Sequence, residues 1–171
     1  PCQSLYYGPL SSSSLPIAYF ADVQCPICRA LERDLDTILS SEGPALQLFR
    51  HELPVFGPTS TLAARVILAA ERQGLQEEAR RRLVQRPVLP GEGAIRAFAL
   101  EIGADPDLLV RDMNSTSVTA RLARSEALAD LFGFVGTPAL VIGRTSILGA
   151  APLSTLRQVI ADERALPPLA C

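Results

Sequence analysis

Lysine and tryptophan are absent from this 171-residue chain, and histidine and methionine occur once each. All 16 basic residues are therefore arginine, which reads as a bias of genome composition. There is no basic excess, since 18 acidic residues leave a formal net charge of −2. That balance argues against a nucleic-acid partner, because such binders carry a basic excess or a basic stripe. No apolar run reaches the roughly 18 residues that a membrane-spanning helix needs. The longest runs, such as Pro138–Ile142, have the length of a strand. What is present is ample core material, with 48% hydrophobic against 20% charged residues. Such a composition excludes disorder over most of the length and predicts a soluble globular chain. The length suits one domain with room for an inserted subdomain. No export signal is visible, but the chain opens on Pro1 rather than Met, so a processed fragment with its signal removed is expected.

Cysteine is scarce and informatively placed. Cys25-Pro26-Ile27-Cys28 forms a C-x-x-C pair, while Cys2 and Cys171 sit at the extreme ends. Zinc sites generally need a second such pair or a pair of histidines, and only His51 is available. A site of four cysteines using both termini is one alternative, and chance spacing of two buried cysteines is another. The flanking sequence decides between these and a redox pair.

Residues 1–14 read as irregular, with a Ser11–Ser14 surface run. Residues 15–20 have the composition of a strand. Leu31, Leu35, Ile38 and Leu39 then recur at helical spacing until Gly43-Pro44 stops them. Residues 45–50 are a second strand, and so short a strand–helix–strand unit predicts parallel pairing. From Pro58 helices dominate. Leu62, Val66, Ala69 and Ala70 form one stripe, and residues 75–85 form a second helix whose Arg80–Arg82 run reads as a solvated face. A turn-rich break at 87–93 precedes a helix through Ile95, Phe98, Ala99 and Ile102, closed by Gly103. Asp105-Pro106 caps a short helix reaching Met113, and a long helix runs through Val118, Leu122, Ala129 and Phe132 to Gly133. Residues 139–142 and 145–148 form a hairpin about Gly143-Arg144, and Pro152 opens the last helix. The order β-α-β, several helices, then β-β-α predicts an α/β chain: a thioredoxin-like fold with an all-helical insertion between its two halves. Residues 1–57 and 114–171 would make the thioredoxin-like domain and 58–113 the insertion.

Thiol–disulfide exchange needs one thiolate that attacks and a second thiol that resolves the mixed disulfide. At the start of a helix, unpaired N–H groups and the positive dipole end favour a thiolate on the first cysteine. Cys25 occupies that place, followed by Pro26, which suits a first helical position. Cys28 lies one turn further in and is shielded.

The stretch Phe20-Ala-Asp-Val-Gln-Cys25-Pro-Ile-Cys28 resembles the active-site segment of the DsbA-like thiol–disulfide oxidoreductases. Arg50-His-Glu-Leu-Pro54, Gly136-Thr-Pro-Ala-Leu-Val-Ile-Gly143 and Gly149-Ala150 fit the same pattern in the same order. The resemblance implies that Cys25 is the nucleophile and Cys28 the resolving cysteine. Pro138 would be a cis-proline facing the pair, and Thr137 would offer backbone bonds to an extended substrate segment. It implies further that Cys-containing proteins are the substrates, that the redox-active disulfide needs no other cofactor, and that the chain is a monomer in the periplasm or another extracytoplasmic space. A membrane partner, DsbB-like or vitamin K epoxide reductase-like, would restore the pair.

Two positions depart from the pattern. Ile27 stands where many members have His or Tyr, and it offers no hydrogen bond to the Cys25 sulfur, which implies a weaker oxidant. Tyr19 stands where members often carry an acidic residue that shuttles protons to the resolving thiol. Asp22 is expected to cap a turn rather than replace that residue, and His51 to make a structural hydrogen bond near a strand end. If Cys25 pairs with Cys28, the remaining pairing is Cys2 with Cys171, and closing so long a loop is worth on the order of 5 kcal/mol in the chain-entropy model. The alternative is two free terminal thiols. Oxidation of substrate proteins is the expected activity. The other readings are reduction or isomerisation, a binding module whose cysteine pair is structural, and a glutathione-linked transferase, against which the intact pair argues.

Overall fold

The computed structural model describes residues 5–7, 14–86 and 91–167. Strand β1 (Leu15–Ala21) is the centre of a four-stranded sheet of order β2-β1-β3-β4. It pairs in parallel with β2 (Leu46–Glu52) and antiparallel with β3 (Ala139–Ile142), which forms a hairpin with β4 (Thr145–Leu148). Six of its seven residues are buried, as expected for a strand covered on both faces. Alternation then divides them. Ile17, Tyr19 and Ala21 join Leu31, Leu35 and Ile38 of helix α1 (Pro26–Glu42) and Leu156 and Ile160 of the C-terminal helix (Leu153–Ala165). Ala18 and Phe20 face the other way, toward Phe49, Leu128, Ala129 and Phe134.

Between the halves come α2 (Pro58–Glu71), α3 (Gln76–Gln85), α4 (Glu92–Glu101), α5 (Pro106–Met113) and α6 (Thr116–Leu131); the C-terminal helix is α7. Helices α2 to α5 share an apolar core of their own, built from Ala63, Val66, Ile67, Leu83, Ala99 and Leu109. Val23, from the turn that leaves β1, packs into it. The Asp105 carboxylate accepts from the N–H groups of Asp107 and Leu108, as the sequence predicts for an N-cap. At the β3–β4 turn Gly143 has φ +57°, and a Cβ there would strike the buried Glu163 carboxylate of α7, which accepts from Thr145 Oγ1 at 2.7 Å.

Two expectations need correction. Strand β2 runs two residues past Arg50, because the parallel register with β1 continues to Phe20–His51 and Ala21–Glu52. The Arg80–Arg82 run is not uniformly a solvated face. Arg81 is 66% exposed, but the Arg80 side chain is 4% exposed and bonds to the buried carboxylate of Glu52. A polar run at a helix surface hides one residue that points inward, and only the β2 extension reveals its partner.

Breaking a buried pair leaves an uncompensated charge, which costs about 3–5 kcal/mol. Arg80→Ala is therefore expected to lower stability by several kcal/mol in urea denaturation, whereas Arg81→Ala leaves the midpoint unchanged. Equal shifts would contradict the buried pair.

His51 supplies a second expected outcome. Its ring stacks on Phe20 with centroids 4.5 Å apart, and Nε2 lies 2.8 Å from Leu5 O. Burial is the main cause that lowers its pKa to about 4, against an opposing contribution from the Leu5 bond. An unfolded histidine takes a proton near pH 6.5, so between about pH 6.5 and 4 only the unfolded chain binds it. The folded chain is then expected to lose about 3 kcal/mol across that window, and the full contribution is present above it. Unfolding midpoints of the parent and of His51→Gln, measured from pH 7.5 to 4, should converge toward acid; parallel curves would exclude the mechanism.

Candidate active site

The exit of β1 delivers the redox pair to the start of α1. Cys25 N donates to Asp22 O at 3.0 Å, closing a turn that leaves Cys25 extended as the N-cap. Its Sγ accepts from Cys28 N at 3.3 Å, so the sulfur takes up one of the helix's orphan donors. Pro26 is at the first helical position, and Pro26 and Ile27 are exposed, Ile27 by 53%. Both cysteines are buried thiols. Cys25 Sγ also lies 3.6 Å from Thr137 O, which it can donate to. The Thr137–Pro138 peptide is cis, and Pro138 O accepts from Gly149 N at 2.8 Å. Cys25 and Cys28 thus meet Thr137 and Pro138, which lie more than 100 positions away in sequence. Cys2 and Cys171 lie outside the described residues, and with them the proposed bridge and the four-cysteine alternative.

The two sulfurs differ in environment. Burial pushes the Cys28 thiol up to about 12, with the backbone at Asp22 acting the other way. Cys28 thus carries a proton at neutral pH that must leave before its sulfur can attack. The Tyr19 hydroxyl donates to Cys28 O at 3.3 Å.

Asp22 is 2% exposed and accepts four hydrogen bonds. Oδ1 takes Gln24 N at 2.8 Å and Ser60 Oγ at 2.9 Å, and Oδ2 takes Val55 N at 2.8 Å and Phe56 N at 3.2 Å. It caps its own turn as expected, and it also ties that turn to the loop after β2 and to α2. Exposed apolar side chains follow from these ties. Val55 and Phe56 stand beside the turn, and Val135 lies two residues before Thr137. With Ile27 they form an exposed apolar group around the redox turn.

Sequence reasoning missed the charges beneath the pair. Glu32, one turn after Cys28 on α1, shares a crevice with Cys28, Arg29 and Arg80. Its carboxylate is 3.2 Å from Arg50 and 3.8 Å from Arg80. The spacing of Cys28 and Glu32 on one helical face was legible; the arginines that come to meet it from β2 and α3 were not.

A family model described as a DSBA-like thioredoxin domain matches residues 16–161. The fold aligns with a thioredoxin-like oxidoreductase from Silicibacter pomeroyi DSS-3 at 30% identity and a TM-score of 0.81, covering 98% of this chain and 99% of that one. A periplasmic thioredoxin-like protein from Salmonella enterica serovar Typhimurium aligns at 27% identity and 0.80, covering 96% of each. The Na(+)/H(+) antiporter NhaA of Herminiimonas arsenicoxydans is 25% identical over 163 residues, which are 92% of this chain. The chain spans about a quarter of the length of that curated relative. No described helix is long and apolar enough to cross a membrane. A match that runs from β1 into α7, with a cysteine pair at the start of α1, places the chain in the DSBA-like thioredoxin domain family.

Proposed function

We propose that the chain is a protein disulfide oxidase that works outside the cytoplasm, with Cys25 as nucleophile and Cys28 as resolving cysteine. The observation that carries this reading is the position of Cys25 at the helix N-cap, with Cys28 N–H on its sulfur and Thr137 O beside it. A substrate thiolate attacks Cys25 Sγ of the oxidised pair, the Cys25–Cys28 bond breaks, and Cys28 leaves as a thiolate that takes up a proton. A second substrate thiolate then attacks the substrate sulfur of the mixed disulfide, and Cys25 leaves reduced while the substrate gains its disulfide. Thr137, beside the cis Pro138, presents its backbone to the substrate segment that brings this sulfur, and the apolar rim favours unfolded Cys-containing chains over folded ones. A membrane oxidant would restore the pair, with no cofactor other than the cysteines themselves. The separate core of α2 to α5 supports treating residues 58–113 as an insertion into a thioredoxin-like domain formed by 1–57 and 114–171.

Ile27 favours a second direction, reduction or isomerisation, because it gives Cys25 no side-chain hydrogen bond to hold the reduced form. Equilibration with glutathione buffers separates the directions. A reduction potential between about −120 and −180 mV identifies a disulfide donor, and one near −270 mV a reductase. A pair still oxidised below about −300 mV would instead be a structural disulfide, and the proposal would fall. In refolding of reduced ribonuclease, Cys25→Ala is expected to lose all activity. Mixed instead with a substrate protein whose cysteines are already paired, Cys28→Ala should accumulate a mixed disulfide as Cys25 attacks the substrate disulfide and one substrate sulfur leaves as a thiolate; dithiothreitol releases the adduct, and a variant that forms none would remove Cys25 from the nucleophile's role.

A further inference from the structure

A cleft of about 580 Å³ lies between α6 on one side and the loop after β2 with α2 on the other. It begins where the redox site ends. Val55, Val135 and Gly136 line its near end, and Gly136 precedes Thr137, whose carbonyl oxygen is 3.6 Å from Cys25 Sγ. Its apolar lining comes from Leu53, Leu122, Ala129 and Phe134. Phe134 N donates to Ala129 O at 2.8 Å, which ties the near end to the last turn of α6.

The charges along the cleft are ordered and unmatched. Glu126 and Asp130 stand four positions apart on α6, so they share one helical face. Like charges at that spacing repel, and among the described residues neither carboxylate has a cation or a hydrogen-bond donor. Both residues are exposed. Arg65 of α2 stands at the far end, where its guanidinium donates to Met113 O at 3.0 Å and Thr119 Oγ1 at 3.3 Å. It meets no carboxylate among the described residues. A segment leaving the redox end therefore passes two negative charges before one positive. Helix α6 supplies the scale, since Asp130 back to Thr119 spans about 16 Å, the length of about five extended residues.

We propose that this cleft is a specificity subsite that takes an extended substrate segment with a Lys or Arg side chain near its reacting cysteine. The proposal rests on the thiol–disulfide exchange reading above. The Thr137 backbone guides the segment past Cys25, and the residues beside the reacting cysteine run on over Gly136 into the cleft. A basic side chain about two to four positions from that cysteine then reaches Asp130 and Glu126. Its aliphatic stem covers the apolar lining while its charged head meets the two carboxylates. An acidic side chain at the same place is repelled, and it is accepted only further on, at Arg65. Glu126 and Asp130 are thus specificity-determining residues, and neither takes part in the sulfur chemistry.

The test uses reduced protein and blocked peptides whose one cysteine is capped as a mixed disulfide with thionitrobenzoate. Cys25 attacks the peptide sulfur, the bond from that sulfur to thionitrobenzoate breaks, and the coloured thiolate leaves. Its release gives the rate, and intact mass identifies the Cys25–peptide adduct. Lys or Glu is placed in turn along about five positions on either side of the cysteine. Exposed ion pairs are weak, so Lys peptides should react about three- to tenfold faster than Glu peptides, and only at the near positions on one side. The ratio should fall toward unity at about 1 M salt, where the screening length is about 3 Å. Replacing both carboxylates, Glu126→Arg with Asp130→Arg, should invert the ratio at those same positions. Rates blind to peptide charge overturn the proposal. A Lys preference equal at every position does so too, because it reports only the net charge of the chain. A preference that survives the double reversal, or an equal slowing of both peptides, overturns it as well, the latter marking a structural role. A parent that releases no thionitrobenzoate from any peptide refutes the exchange reading first, and this proposal with it.

Discussion

The buried carboxylate of Asp22 is the joint on which the site depends. A carboxylate removed from water must find hydrogen bonds, and this one takes four from three segments. Gln24 belongs to the redox turn, Val55 and Phe56 to the loop after β2, and Ser60 to the first turn of α2. The turn that presents Cys25 is thereby fixed against the parallel strand pair and against the helical lobe at once. The same bonds set Val55 and Phe56 beside the cysteines with their side chains in solvent. Positioning of the pair and exposure of its apolar rim therefore have a common cause.

The helical lobe contributes more than a cover. Its core is separate from those on the two faces of the sheet, and only Val23 from the redox turn enters it. Arg80 crosses the boundary in the opposite direction. Glu32 shares a crevice with Cys28 and Arg80, and the buried carboxylate of Glu52 is bound to Arg80. Without a cation the two carboxylates would repel each other and any thiolate beside them. Arg80 offsets that repulsion from α3, and Arg50 does so from β2, so an interaction with no contact to either sulfur sets the electrostatic ground on which the pair works.

Much of this was legible in the sequence where local chemistry decides. Gly43-Pro44 stops α1, Asp105-Pro106 starts α5, and Cys25-Pro26 starts α1, each through backbone requirements that a few adjacent residues satisfy. Apolar periodicity gave the element order, and motif order brought Thr137 and Pro138 to the cysteines. The misses share a different cause. Arg50-His51-Glu52 reads as the polar end of a strand, but the register with β1 buries His51 and Glu52. Arg80 reads as one of three solvated arginines, and only Glu52 waiting inside makes its burial affordable. Each depended on a partner more than 25 positions away, so no local window could contain both halves of the reason.

The asymmetry of the two cysteines follows from the same geometry. Cys25 stands where a helix begins, and Cys28 N–H already points at its sulfur. Cys28 lies one turn inside, among Tyr19, Leu31 and Leu35, where burial opposes charge on its sulfur. In either direction of exchange the interior sulfur must pass between bonded and reduced states, and it needs a route for one proton each time. The Asp22 turn that starts α1 holds the two sulfurs in these unlike surroundings, one at the helix start and one inside it.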